Sequence, residues 1–179
     1  MAEKGGNSQN RIVKESIFSA LMILMEKKSI KEISITAVAK TAGVSRMAFY
    51  RNYSSIEDII INYLDENFVS YAQLLPPCGK DNCTESIGVF FTYFKNQSTL
   101  IRNLINSEMT HLLLESFSHF LHSLSRNIVC DRQLSPAMEK YSTEFIAGGI
   151  FNVVLEWAKD DMKESGEAMT EIVSRILAD

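Results

Sequence analysis

Apolar residues recur in this chain at three- and four-residue spacing through almost its whole length, and strict alternation is nowhere sustained. Val13, Ile17, Leu21 and Leu24 form one stripe between Gln9 and Lys28. That spacing places side chains on one face of an α-helix. Lys27 and Lys28 fall in what the pattern takes as its last turn, where cations suit the negative end of the helix dipole. Residues 1–9, polar with paired glycines, read as a loose arm. A second long stripe starts near Ser55 and runs through Ile56, Ile60, Tyr63, Leu64, Asn67, Tyr71 and Leu74. Pro76-Pro77 ends it, since proline lacks a donor and restricts its predecessor. After a loop to Asn82, Thr84 is the expected cap of a helix carrying Ile87, Phe90, Phe91 and Phe94. Asn96-Gln97-Ser98 reads as a break before a helical piece at Leu100–Ile105, and Glu108–Arg126 as a further long helix. Asn127–Ser135 reads as a loop, with Pro136 at a first helical position. A helix then reaches Met162, and after Gly166 a last one carries Met169, Ile172, Val173 and Ile176 as a narrow seam. The pattern predicts an all-α fold of about nine helices and no strand.

Residues 34–51 have a tighter design. Ser34 is a candidate N-cap for a short helix with Ile35, Val38, Ala39 and Ala42 on one face. Gly43 supplies the positive φ that ends it, and Ser45 caps a second short helix two residues later. Small Ala39 and Ala42 let the two helices approach, and Phe49 anchors the second. Two short helices joined by a glycine turn make a helix-turn-helix. The second helix then presents Arg46, Met47, Ala48, Tyr50 and Arg51.

The run Ala147–Ala158 is apolar nearly all round, with Gly148 and Gly149 inside it. Each glycine costs about 1 kcal/mol in a helix, which makes sense where another helix crosses closely. In a chain of 179 residues the second buried side points to another subunit, with Gly148, Gly149, Val153 and Trp157 near the contact.

Charge divides the chain. The net charge is -4, yet residues 1–53 carry nine Lys/Arg against four Asp/Glu. A basic first third on an acidic body suits a polyanion at one end only. No apolar stretch reaches the roughly 18 residues of a membrane span. The N-terminus has no signal-peptide core, so a cytoplasmic location is expected. Three cysteines, an odd number, fit a reducing compartment better than a disulfide framework.

The stretch from Ile33 to Ile59 resembles the DNA-binding domain of the TetR family of bacterial transcriptional repressors. The matching residues are Ile33-Ser34-Ile35, Val38-Ala39, Ala42-Gly43-Val44-Ser45, Phe49-Tyr50, Tyr53 and Glu57-Asp58-Ile59. Tyr141, Phe145-Ile146-Ala147-Gly148-Gly149 and Trp157 look like the carboxy-terminal domain of a subgroup common in Firmicutes. The resemblance implies a DNA-binding domain over 1–54 and a ligand-binding and dimerisation domain over 55–179. It implies a homodimer on a palindromic double-stranded operator, released by an unknown small-molecule effector, with no cofactor and no enzymatic activity. The last two helices would pair with their mates, adding Ile172 and Ile176 to the interface. Two positions depart: Ile56 stands where the family often has Lys, and Thr36 where it often has Arg or a polar residue.

On that reading Arg46 meets guanine O6 and N7 together, and Met47 and Ala48 touch a thymine methyl. Tyr50 and Arg51 are better placed for phosphates, as are Ser34, Thr36 and Ser45 at helix starts. Lys4, Arg11 and Lys14 are candidate backbone or minor-groove contacts. Tyr71, Phe90, Phe91, Phe94 and Phe117 are core residues or the lining of an apolar ligand cavity. His111, Glu115, His119 and His122 share one helix face, which could ligate a metal; the plainer reading is a polar face turned outward. Cys78 and Cys83 flank Lys80 in a loop and could form a redox pair, although a chance pair explains them as well. No phosphate loop, nucleophile elbow or paired-carboxylate motif occurs. Two other classes stay in view: a DNA-binding adaptor without a small molecule, and a metal- or thiol-dependent enzyme on a helical bundle. A cavity with convergent polar groups favours the ligand-responsive regulator, and a filled core with an exposed apolar patch favours the adaptor.

Overall fold

The computed structural model describes residues 3–76, 83–128 and 135–178, with side chains over 9–76, 84–123 and 135–178. The three- and four-residue spacing is realised as nine α-helices and no strand among the described residues. They are α1 (Glu3–Met25), α2 (Ile35–Thr41), α3 (Arg46–Tyr50), α4 (Ile56–Ala72), α5 (Cys83–Asn96), α6 (Ser98–Asn106), α7 (Thr110–Ile128), α8 (Pro136–Lys159) and α9 (Gly166–Ala178). A 3-10 turn, Ile30–Glu32, links α1 to α2.

Serines start most of these helices. The hydroxyls of Ser34, Ser45, Ser55, Ser135 and Ser165 each accept from the backbone N–H three residues on, at 3.0 to 3.2 Å. Each satisfies an N–H that has no partner inside its helix. Three helices end alike, with a left-handed residue followed by an N–H that reaches back five residues. The left-handed residues are Gly43 (φ 67°), Glu108 (φ 57°) and Asp161 (φ 56°). The returning bonds run from Val44 to Ala39, Met109 to Leu104 and Met162 to Trp157, at 2.8 to 3.0 Å. This is the Schellman arrangement, twice built without glycine.

α4 runs between α1 and α7, and α5 lies against α9. Phe68 of α4 stacks on Phe120 and Phe117 of α7 at 4.8 and 5.7 Å between centroids. The α5–α9 approach is close: a Cβ added at Gly88 would stand 3.7 Å from Thr170, and one at Gly166 3.5 Å from Thr92.

Several boundaries differ from the sequence reading. Residues 3–9 are not a loose arm, because α1 begins at Glu3. Buried Ile17, Leu21 and Met25 dock its later turns, and a nucleated helix extends at little cost even through Gly5 and Gly6. Lys27 and Lys28 lie beyond its end, since the chain must turn there to bury Ile30. Leu74 is 59% exposed and follows the end of α4, while Ile59 and Phe68, off the expected stripe, are buried. A helix gripped from two sides buries a wider arc than one stripe predicts. Thr84 sits within α5 rather than at its cap, and Glu108 precedes α7 as the left-handed residue ending α6. The break at Gln97 and Pro136 at the start of α8 stand as expected.

Candidate nucleic-acid interface

Ser34 and Ser45 hold extended backbone just before α2 and α3, and their capping hydroxyls fix where each helix begins. Gly43 takes the only positive φ found at a described glycine and turns the chain between them. Val38, Ala39 and Phe49 are almost fully buried; α2 packs on both α1 and α3, and Val38 and Phe49 share one buried core with Ile17 and Leu21 of α1. Asn52 closes α3 by donating to the Ala48 carbonyl at 2.8 Å. Phe49 also meets the rings of Tyr50 and Tyr53 at 5.6 and 5.9 Å. The Tyr53 hydroxyl is pushed up to about 12 by burial and then by Glu66 and Asp58, so it stays neutral and structural.

The outer side of this unit exposes Ser34, Thr36, Ser45, Arg46, Met47, Tyr50 and Arg51; Ala48 is half-buried. Met47 is 66% exposed and Tyr50 48%, large side chains left in water beside the cations of Arg46 and Arg51. The Arg46 guanidinium lies 5.9 Å over the Tyr50 ring, a cation–π contact that orients it at the first turn of α3. Ile56, the departure at the start of α4, packs half-buried against the core. No charge is offered there, but the capped helix end beside it has free N–H groups.

Not every candidate cation faces outward. Lys14 reaches Glu66 on α4 at 2.7 Å and Arg11 pairs with Glu15 at 3.4 Å. Lys14 therefore joins α1 to α4 instead of extending the outer face. Beside it, the Phe18 ring stacks on Tyr63 with centroids 3.6 Å apart. The side chain of Lys4 lies outside the described residues.

Residues 81–179, more than half of the chain, match the TetR-type family model described as a transcriptional regulator C-terminal region. The chain belongs to the TetR family of transcriptional regulators. It is also similar to an HTH-type transcriptional regulator of Haemophilus influenzae, 22% identical over 86% of this chain and 79% of that protein. Among solved structures it resembles the fatty acid degradation regulator FadR of Bacillus halodurans, with a TM-score of 0.62 and 16% identity over 92% of this chain and 94% of that one. FadR of Bacillus subtilis in complex with stearoyl-CoA gives 0.60 and 18% over 91% and 96%. The dihydroxyacetone kinase operon activator DhaS gives 0.59 and 18% over 93% and 94%. At these identities the structures establish the fold.

The remaining candidate residues of this TetR-family regulator fall into three places. Tyr71, Phe90, Phe91, Phe94 and Phe117 are all buried, with Phe90 on Phe94 at 4.3 Å and on Phe117 at 5.4 Å. Burial raises the Tyr71 hydroxyl well above its usual range. A cavity of about 10 Å³ lies beside this cluster, and Phe94 is the one of the five that lines it. Gly149 is exposed, and among the described residues a Cβ added at Gly148 or Gly149 meets nothing within 4 Å, so no described helix crosses there. Ile172 and Ile176 are exposed and Val153 half-buried. Trp157 corrects the expected interface: it is 3% exposed, its ring meets Phe91 edge-on at 5.6 Å and its Nε1 donates to the Glu164 carbonyl. The all-round apolar run thus divides, and Trp157 belongs to the half that α8 turns inward.

His111, Glu115 and His119 are exposed, while His122 bonds Glu144 of α8 at 2.8 Å. Among the described residues no three His, Cys, Asp or Glu gather as a metal site. Cys78, Cys130 and the Cys83 side chain lie outside the described residues. No described helix is long and apolar enough to cross a membrane. Sequence reasoning missed a polar cluster of Tyr63, Asn67, Tyr93 and Gln97, because its members come from two helices and a break, each with a different apparent role. It also missed the exposure of Tyr141 and Phe145, which the pattern alone cannot tell from core.

Proposed function

We propose that this regulator is a homodimeric repressor that binds a palindromic operator and is released by a small, largely apolar ligand. The observation that carries the reading is the outer row of α3 and its C-cap, Arg46, Met47, Tyr50 and Arg51, exposed together on a pair of helices capped by Ser34 and Ser45. Residues 1–54 supply the DNA contact, and residues 55–179 supply ligand and partner contacts. α8 shows water a line of Met138, Tyr141 and Phe145, exposed by 57%, 66% and 77%, continued by Gly149; α9 adds Ile172 and Ile176. A second copy covering these side chains would account for an apolar face that a lone chain leaves wet. The smooth stretch at Gly148 and Gly149 would let the partner helix come close.

One observation favours the adaptor reading: the cavity beside the aromatic cluster is small, about 10 Å³, and the apolar face is exposed. Sedimentation of wild type and Phe145→Glu, paired with titration against duplexes from the DNA flanking the gene, separates the two. The repressor reading expects a wild-type dimer that binds one duplex tightly, and a Phe145→Glu monomer that binds it weakly. A wild-type monomer, or equal DNA binding by both proteins, overturns it.

A further inference from the structure

Four neutral polar side chains close over the small core cavity and spend their hydrogen bonds on one another. Tyr63 donates to Gln97 Oε1 at 3.1 Å, and Gln97 Nε2 donates to Asn67 Oδ1 at 3.3 Å. Tyr93 donates to the same Asn67 oxygen at 2.5 Å, and Asn67 Nδ2 returns to the Tyr63 carbonyl at 2.7 Å. All four are half-buried, and all four line the cavity, with Phe68 and Phe94 among its apolar walls. At about 10 Å³ the space admits nothing larger than a water.

This arrangement constrains what could open it. No Lys, Arg, His, Asp or Glu lines the cavity, so an ionic ligand would leave water for a site without a counter-charge. A purely apolar ligand that parted the four side chains would strand their donors and acceptors half-buried, a cost without return. Only a neutral ligand with a donor and an acceptor of its own replaces what it breaks. Tyr63, moreover, is shared: its hydroxyl belongs to this cluster, while its ring lies flat on Phe18 of α1, whose buried Ile17 and Leu21 support the helix-turn-helix.

We propose that Tyr63, Asn67, Tyr93 and Gln97 are the recognition groups for an uncharged ligand that carries a donor and an acceptor on an apolar body, and that such a ligand acts by taking Gln97 from Tyr63. The proposal rests on the ligand-responsive reading above and adds the ligand's chemistry and the contact through which it reports.

The test uses three probes of one size, benzamide, toluene and benzoate, titrated into the isotope-labelled full chain while nuclear magnetic resonance follows the side-chain amides of Asn67 and Gln97, the methyls of Leu64 and Leu100, and the backbone amides around Phe18. Benzamide is expected to shift the two side-chain amides and, with them, the α1 amides; toluene should bind about tenfold more weakly, for want of the hydrogen bonds, and benzoate not at all. Asn67→Leu should weaken benzamide about tenfold and leave toluene unchanged, which a general loss of structure would not do. Gln97→Leu serves if that variant fails to fold. Phe18→Leu should keep the benzamide shifts at Asn67 and Gln97 but lose those in α1. Benzoate binding as well as benzamide, or core methyls moving while both side-chain amides stay still, overturns the site and leaves the ligand-responsive reading standing. Silence of every core signal with all three probes overturns the site, while the ligand-responsive reading stands or falls on the operator titrations.

Discussion

Phe18 and Tyr63 lie face to face, their rings 3.6 Å apart at the centroids and within 6° of parallel. They join α1, which carries the helix-turn-helix, to α4, which runs into the aromatic core. The Lys14–Glu66 ion pair seals the same seam on its wet side.

A stack of this kind contributes beyond the area it buries. Phe18→Leu and Tyr63→Leu, singly and together, are expected to give a coupling energy of about 0.5–1.5 kcal/mol in urea unfolding. Additive effects would mean the rings touch without holding the two parts together.

Gly43 is required for its backbone and not for space. A Cβ there meets nothing within 4 Å, yet φ is 67°. Gly43→Val should destabilise the protein by about 1–2 kcal/mol and weaken DNA binding, while Gly43→Asn recovers most of the loss. Thermal unfolding of both variants checks this, and equal stability of the two would refute it.

Asp161 supplies the converse case. It holds φ 56° without being glycine, and its pairing with Arg102, at 3.7 Å and largely exposed, contributes little. Asp161→Gly should raise stability by about 1 kcal/mol. Met162→Gly, next to it and also at positive φ, should lower stability, because the Met162 side chain is buried. Denaturant midpoints of the two variants should move in opposite directions.

Arg46 and Arg51 should fail differently. Arg46 heads α3, and Arg51 caps its far end. Arg46→Ala is expected to lose about 1–3 kcal/mol of discrimination between matched and mutated operators. Arg51→Ala should weaken every duplex alike and reduce the salt slope by about 1. Titrations at several salt concentrations read both effects, and equal loss on all sequences for Arg46→Ala would remove it from base reading.

Much of this was legible in order along the chain. Local signals carried the helix-turn-helix: capping hydroxyls at Ser34 and Ser45, a left-handed Gly43 and buried Phe49 act within a few residues, so spacing alone reveals them. The reading failed where the deciding contact is distant. Trp157 sits in an all-round apolar run, and only the position of Phe91 shows which way it turns. Leu74 continues a stripe that the chain abandons at Ala72. Glu108 and Asp161 adopt a conformation that sequence assigns to glycine, held there by the Met109 and Met162 N–H bonds back to α6 and α8. Tyr63 and Asn67 share one stripe, but nothing in the spacing joins them to Tyr93 and Gln97.

If α3 reads DNA sequence from a symmetric pair of chains, the bound sequence must carry that symmetry. Selection of bound duplexes from a randomised pool by the full-length protein reads it out. A dyad-symmetric sequence should be recovered, with half-sites about 34–36 Å, one helical turn, apart or a multiple of that. Arg46→Ala, taken through the same selection, should recover fewer fixed positions in each half. A pool that stays random, or an enriched site without a dyad that Arg46→Ala recovers unchanged, would contradict it.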